Sequence, residues 1–116
     1  MEYLLVALGS AVGGFLRFLI YKSLHIPNYY ITLLINFIGS FFIASVLVIK
    51  SELIKLFFIT GILAGFTTFS GFTIDSVRLF QNGEYIKCLM YVMLSYLLSL
   101  AGFLLCKYLI EKYIIQ

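Results

Sequence analysis

Four stretches of this chain are long, apolar and almost uncharged, and they leave room for little else. Residues 56–74, between Lys55 and Asp75, carry no charge. Neither do residues 88–106, between Lys87 and Lys107, nor residues 28–49, which end at Lys50. Residues 3–21 are interrupted only by Arg17. Each stretch has the roughly 20 residues that a helix needs to cross about 30 Å of hydrocarbon. The apolar residues run continuously rather than alternating, which excludes the strands of a membrane barrel. At 63% hydrophobic and 11% charged, the 116 residues are far from the soluble norm of about half apolar and a quarter charged. The expectation is an all-α membrane protein, a single domain over 1–116 with four transmembrane helices at 3–21, 28–49, 56–77 and 88–106. No polar stretch is long enough to build a soluble domain.

The first span does not read as a cleavable signal, because Met1-Glu2 gives no basic start and the apolar run is too long. Short polar connectors are expected at Lys22–Asn28, with His25 and Pro27, at 50–55, and at 78–87, where Asn82-Gly83 signals a turn. The tail Lys107–Gln116 continues the helical pattern. Cys88 and Cys106 lie near opposite ends of the fourth span and read as small hydrophobes rather than a disulfide or metal pair.

A net charge of +3 would suggest nucleic acid as a partner for a soluble chain. Here the charges are topology signals, and no nucleic acid is expected. Lys50, Lys55, Lys107 and Lys112 fall on the side of the termini; Arg17, Lys22, Arg78 and Lys87 fall on the other. Four against four assigns almost no orientation. One reading leaves the topology open. The other has the chain insert both ways and pair with a second copy as an antiparallel dimer. Small size favours the second, since four short helices enclose little volume and a pathway is more easily built between subunits.

The third span is too polar for a plain anchor. Between Gly61 and Asp75 it carries Thr67, Thr68, Ser70 and Thr73, with Gly61, Gly65 and Gly71, around Phe66, Phe69 and Phe72. Polar groups at membrane depth are costly and usually mark a pathway or a bound ion. The glycines and adjacent threonines weaken the helix there. An unwound turn would release backbone carbonyls that suit a cation, which is tolerated only inside protein or against a cavity. Phe69 and Phe72, three apart, share a face, and a phenyl ring is positive at its edge. Ring edges plus hydroxyl and amide donors suit a small anion. Lipid or core packing is the plainer reading of the two rings taken alone.

Two more spans carry polar stripes. Thr32, Asn36 and Ser40 recur at spacing four, as do Tyr91, Ser95 and Ser99. Each stripe reads either as interhelical glue or as a neutral track of donors. Gly9 with Gly13, Ser10 with Gly14, and Gly61 with Gly65 read as close helix packing. Arg17 and Asp75 read as an ion pair, with an anion-attracting vestibule around Arg17 as the alternative. No nucleotide-binding motif and no catalytic set of His, Cys or paired carboxylates is present, so an enzyme is not expected.

Across all four spans the chain resembles the Fluc, or CrcB, family of fluoride channels. The first span has Gly13, Gly14 and Arg17, followed by Phe18 where the family often has Tyr. The second has Thr32, Asn36, Gly39, Ser40 and Phe41; the third has GILAGFTTFSGFT from Gly61 to Thr73; the fourth has Tyr91, Ser95 and Ser99. The resemblance implies passive export of fluoride by an antiparallel, dual-topology homodimer with two pores, in a prokaryotic plasma membrane. It implies that Phe69 and Phe72 line the pore, that Asn36 donates to fluoride, and that Ser70 and Thr73 add hydroxyls. It implies a polar track through Thr32, Tyr91, Ser95 and Ser99, and a vestibule at Arg17. It also implies a structural sodium ion on the backbone carbonyls of Ala64 and Thr67. Ala64 stands where the family usually has Gly, Gly71 where it has Thr, and Thr73 where it has Ser. Some members pair two related chains; the even charge count and full motif set favour a homodimer.

Two other classes fit the outline. A small multidrug transporter has four spans and dual topology, but needs an acidic residue deep in the membrane. Glu2, Glu52, Glu84 and Glu111 lie at ends or loops, and Asp75 is expected to end the third span. An accessory subunit would use its polar residues only to bind partner helices.

Overall fold

The computed structural model describes residues 1–114. Ile115 and Gln116, the end of the expected tail, lie outside the described residues. The chain forms four antiparallel helical rods: α1 (Glu2–Ser23), α2 (Asn28–Val46), α3 (Glu52–Gln81, interrupted) and α4 (Tyr85–Tyr113). All four are long and apolar enough to cross a membrane. The bundle measures 48 × 34 × 21 Å, so its long axis exceeds the roughly 30 Å of a hydrocarbon core.

Local sequence explains the helix ends. Pro27 stands immediately before α2, where its missing N–H costs nothing. Ser51 caps α3 by accepting from the Ile54 N–H at 3.3 Å, and Lys55 pairs with Glu52 at 2.8 Å. Residues 52–55 are therefore already helical and α2 ends at Val46 rather than 49, so the connector expected at 50–55 lies at 47–51. At the far end of α3, Gly83 has φ +80, the Gly83 N–H reaches Phe80 O at 3.1 Å and the Glu84 N–H reaches Leu79 O at 3.0 Å. This paired arrangement needs a left-handed residue, which glycine adopts without strain. It fulfils the expected Asn82-Gly83 turn but carries the helix on to Gln81, beyond the expected end at 77.

The rod α3 changes character along its length. Leu56–Leu63 is a π-helix, Ala64–Phe66 is a single α turn, and Thr67 and Thr68 leave the helix before Phe69–Gln81 resumes it. The first half packs along α1, and the second half along α4 and α2. α2 and α4 also pack along each other extensively. Backbones touch where α1 meets the first half of α3. A Cβ added at Gly13 would sit 2.0 Å from Ile62 O, and one at Gly9 would sit 2.8 Å from the Gly61 Cα. The small residues at spacing four thus serve helix packing, as expected.

The buried core is thin. Ile31, Ile35 and Phe66 form one cluster, and Ala44, Cys106 and Ile110 form a second. Leu4, Leu8, Leu94, Leu97 and Leu104 are among many large apolar side chains on the outside. That inverted surface suits lipid as solvent, where exposed hydrocarbon carries no penalty.

Candidate functional site

The interruption of α3 is held from outside by two side chains. The Thr68 N–H, which would bond Ala64 O in an unbroken helix, donates instead to Asn36 Oδ1 at 2.8 Å. Asn36 Nδ2 donates to Thr68 O at 3.1 Å. One amide therefore satisfies both backbone groups of Thr68. On the other side, Arg17 Nη1 donates to Thr67 O at 3.1 Å. Thr68 also caps the second half of α3, with its hydroxyl accepting from the Gly71 N–H at 2.9 Å. Side chains from α1 and α2 thus replace the hydrogen bonds that the break removes, as backbone at membrane depth requires.

The start of the second half of α3 opens onto a cavity of about 330 Å³. Asn36 and Ser40 line it from α2, Phe69 and Phe72 from α3, and Ser95 and Ser99 from α4. Thr67, Thr68, Ile43 and Tyr96 complete the wall. Its polar groups are under-used. Ser95 Oγ is buried with no hydrogen-bond partner among the described residues. The Asn36 amide has two hydrogens, of which Thr68 O takes one. No carboxylate lines the cavity. The helix N-terminus at Phe69 adds a positive dipole end. Neutral donors, a dipole end and ring edges make a place for a small anion. Phe69 is 78% exposed, so this wall is open on the flank of the single chain.

Phe72 packs against two rings. Phe69 lies 5.5 Å away at 41°, and Tyr91 stacks at 5.4 Å and 28°. Behind Tyr91 is a closed polar knot. Asp75, only 6% exposed, accepts on Oδ2 from Thr32 Oγ1 at 2.7 Å and from the Tyr91 hydroxyl at 3.2 Å. Thr32 is fully buried and also bonds the Tyr21 hydroxyl and, at 3.0 Å, Asn28 O. Four helices meet in this knot. Asp75 therefore lies inside α3 rather than at its end, because the helix runs six residues further.

A second opening of about 320 Å³ is lined by Arg17, Tyr21, Ser70, Gly71, Asp75 and Arg78, among others. The expected Arg17–Asp75 ion pair is not formed. Arg17 turns to the Thr67 carbonyl and Asp75 to two hydroxyls, and Lys55–Glu52 is the one ion pair within 4 Å among the described residues. Hydroxyls satisfy the buried carboxylate, while the broken helix offers the guanidinium an acceptor.

Of the residues singled out by sequence, Asn36, Phe69, Phe72, Ser95 and Ser99 share the first cavity. Thr32 and Tyr91 belong to the knot, and Ser70 and Arg17 to the second opening. Thr73 is exposed, its hydroxyl donating back to Phe69 O at 3.0 Å. Ala64 precedes the break by one turn, and Thr67 lies within it. The Ala64 carbonyl loses its helical donor to Asn36, and the Thr67 carbonyl accepts from Arg17 with one lone pair. Such oxygens are the hard donors that an alkali cation takes. Tyr21, Tyr96 and the place of Arg78 at the second opening escaped the sequence reading. Tyr21 sits four after Arg17 on the same face, a spacing that could have found it; Tyr96 offered no pattern beyond its neighbour Ser95.

A family model described as CrcB-like protein, Camphor Resistance (CrcB), matches residues 4–106. A protein of Thermus thermophilus named fluoride-specific ion channel FluC is 40% identical over 85% of this chain and 86% of its own length. A Hydrogenobaculum protein of the same name is 38% identical over 79% of this chain and 83% of its own. A third, from Granulibacter bethesdensis, is 35% identical over 98% of each.

Proposed function

The chain belongs to the CrcB-like family, and from that premise we propose that it is a passive, fluoride-selective channel. The observation that carries this reading is the carboxylate-free cavity in which Ser95 Oγ is buried without a partner beside the Asn36 amide and two phenylalanines. Fluoride holds water tightly, so a site that strips the water must supply hydrogen-bond donors in its place. Asn36 supplies an N–H, Ser95 and Ser99 supply hydroxyls, and the edges of Phe69 and Phe72 add a weaker positive field. Ion passage also requires that no single site bind too tightly, and a row of neutral donors meets that requirement. Arg17 and Arg78 at the second opening draw anions toward the protein. Cytoplasmic fluoride leaves down its electrochemical gradient, and no coupling reaction is needed. Asp75 is buried, and Thr32 and Tyr91 tie it to α2 and α4 outside the first cavity.

The working unit is a dual-topology antiparallel homodimer in the plasma membrane. The open flank at Phe69 and the balanced charges support it, since a second copy laid against that flank would close each cavity into a pore. A structural sodium ion fits the released backbone. Ala64 and Thr67 would hold it through their carbonyls, and it would supply a fixed positive charge at the break. Two carbonyls are too few for an alkali cation, so the second copy would contribute the remainder. Purified protein in fluoride-loaded liposomes should release fluoride, read by an electrode, and retain chloride. Fluoride retention, or equal release of both anions, would overturn the channel reading.

A further inference from the structure

We propose that Asp75 is a positioning residue for the ring of Phe72, acting through Tyr91; the inference deepens the channel reading and rests on it. Phe72 and Asp75 are three residues apart on α3, so they lie on one face within a single turn. Tyr91 comes from α4 and meets both. Its ring stacks on Phe72 at 5.4 Å and 28°, and its hydroxyl donates to Asp75 Oδ2 at 3.2 Å. Tyr29 adds an edge contact to the same ring at 6.1 Å and 73°. A tyrosine held at its hydroxyl, its face and its edge cannot slide along its neighbour. Phe72 is therefore backed by a fixed plate.

The carboxylate is itself held in place. Thr32 has one hydroxyl proton, and Asp75 Oδ2, at 2.7 Å, is one of its acceptors. When that proton goes to Asp75, the Tyr21 hydroxyl must donate to Thr32, because the threonine then has only lone pairs to offer. The order of donation runs from Tyr21 on α1, through Thr32 on α2, to Asp75 on α3, and Tyr91 donates from α4. All of this takes place outside the first cavity, which neither Asp75 nor Tyr91 lines. A carboxylate can thus fix a wall of the first cavity without lining it. Two hydroxyl donors on one oxygen blunt its field further.

The test combines flux with a local probe. Phe72 is replaced by 4-fluorophenylalanine, and its fluorine NMR signal is read in the wild-type background, in Tyr91→Phe, in Asp75→Ala and in the double variant. Tyr91→Phe keeps the ring and removes only the hydroxyl, so it reports the tether even where Asp75→Ala folds poorly. Both single variants should shift or broaden the signal in the same sense. Each should lower fluoride efflux from liposomes by roughly tenfold or more, the scale on which a misplaced contact group acts. The double variant should be no worse than the worse single one, because the two residues act in series. Asp75→Asn, which keeps an acceptor oxygen, should recover part of both readouts. An unchanged fluorine signal in Tyr91→Phe would overturn the proposal, as would losses that multiply in the double variant. If the wild-type protein passes no fluoride, the channel reading fails, and the fluorine signal still decides the tether.

Discussion

Two sets of polar side chains lie on either side of Phe72, and they are bonded in opposite ways. In the knot, Tyr21 spends its donor on Thr32, and Thr32 and Tyr91 spend theirs on Asp75. In the cavity, Ser95 Oγ has no partner and the Asn36 amide keeps a hydrogen in hand. The residue types are alike, all hydroxyls and amides except for the one carboxylate. Their bonding separates two jobs. A buried polar group left unpaired costs about 1–3 kcal/mol, and native structures leave few of them. The knot avoids that cost and ties four helices together. The cavity carries it, as a site does when a guest is to supply the missing bond.

The largest break in this contrast is expected at Asn36, which serves both purposes. Its amide bonds both backbone groups of Thr68 and also faces the cavity. Asn36→Asp still accepts from the Thr68 N–H, but presents an oxygen to the Thr68 carbonyl and a negative charge to an incoming anion. Fluoride efflux should fall to background, a loss of at least about 100-fold, since two contacts reverse sign together. The variant should still migrate as the wild-type assembly in detergent. Efflux near wild type would remove Asn36 from the path and leave it as a clamp only.

Part of this arrangement was legible in the residues. The long uncharged runs required membrane-spanning helices, and spacing four put Asn36 with Ser40 and Ser95 with Ser99, which do share a cavity. Spacing could not show that Thr32 and Tyr91 leave their stripes for Asp75, because both stripes drift around their helices and burial then selects the partner. Nor could spacing reveal the π-helix at Leu56–Leu63, which packs backbone to backbone against Gly9 and Gly13. The break was visible in the glycines and threonines, but its site is Thr67–Thr68, where Asn36 and Arg17 compensate the backbone. Gly71 also becomes explicable. A Cβ there would meet Thr68 Cγ2 at 2.9 Å and the Tyr21 hydroxyl at 3.3 Å, so the small residue leaves the helix cap room. It lines the second opening rather than the first cavity, which separates it from the Phe69–Phe72 pair.

The knot is sharpened by Thr32→Val, which keeps the shape and removes the hydroxyl. The Tyr21 hydroxyl loses an acceptor and Asp75 loses its shortest bond. Unfolding free energy should drop by about 1–3 kcal/mol, the cost of stranding a buried partner. Thermal unfolding in detergent reads it. Efflux per folded channel should fall less than in the Asn36 variant, because Thr32 does not line the cavity. Lost efflux with unchanged unfolding would place Thr32 on the ion path and dissolve the division.

The smallest effect, and the most diagnostic one, belongs to Ser95→Ala. Removing a hydroxyl from the knot should destabilise the protein; removing this one should not. Ser95 Oγ makes no hydrogen bond, so its loss strands nothing and relieves a buried polar atom. The unfolding midpoint should stay level or rise slightly. Efflux should fall by roughly 5–10-fold, which is what one net hydrogen bond of about 1–1.5 kcal/mol to a passing ion is worth. Stability and flux would then move independently at Ser95, whereas at Thr32 stability moves first. If Ser95→Ala lowers the midpoint as much as Thr32→Val does, then the Ser95 hydroxyl is bonded within the fold, and the cavity holds no donor waiting for an ion.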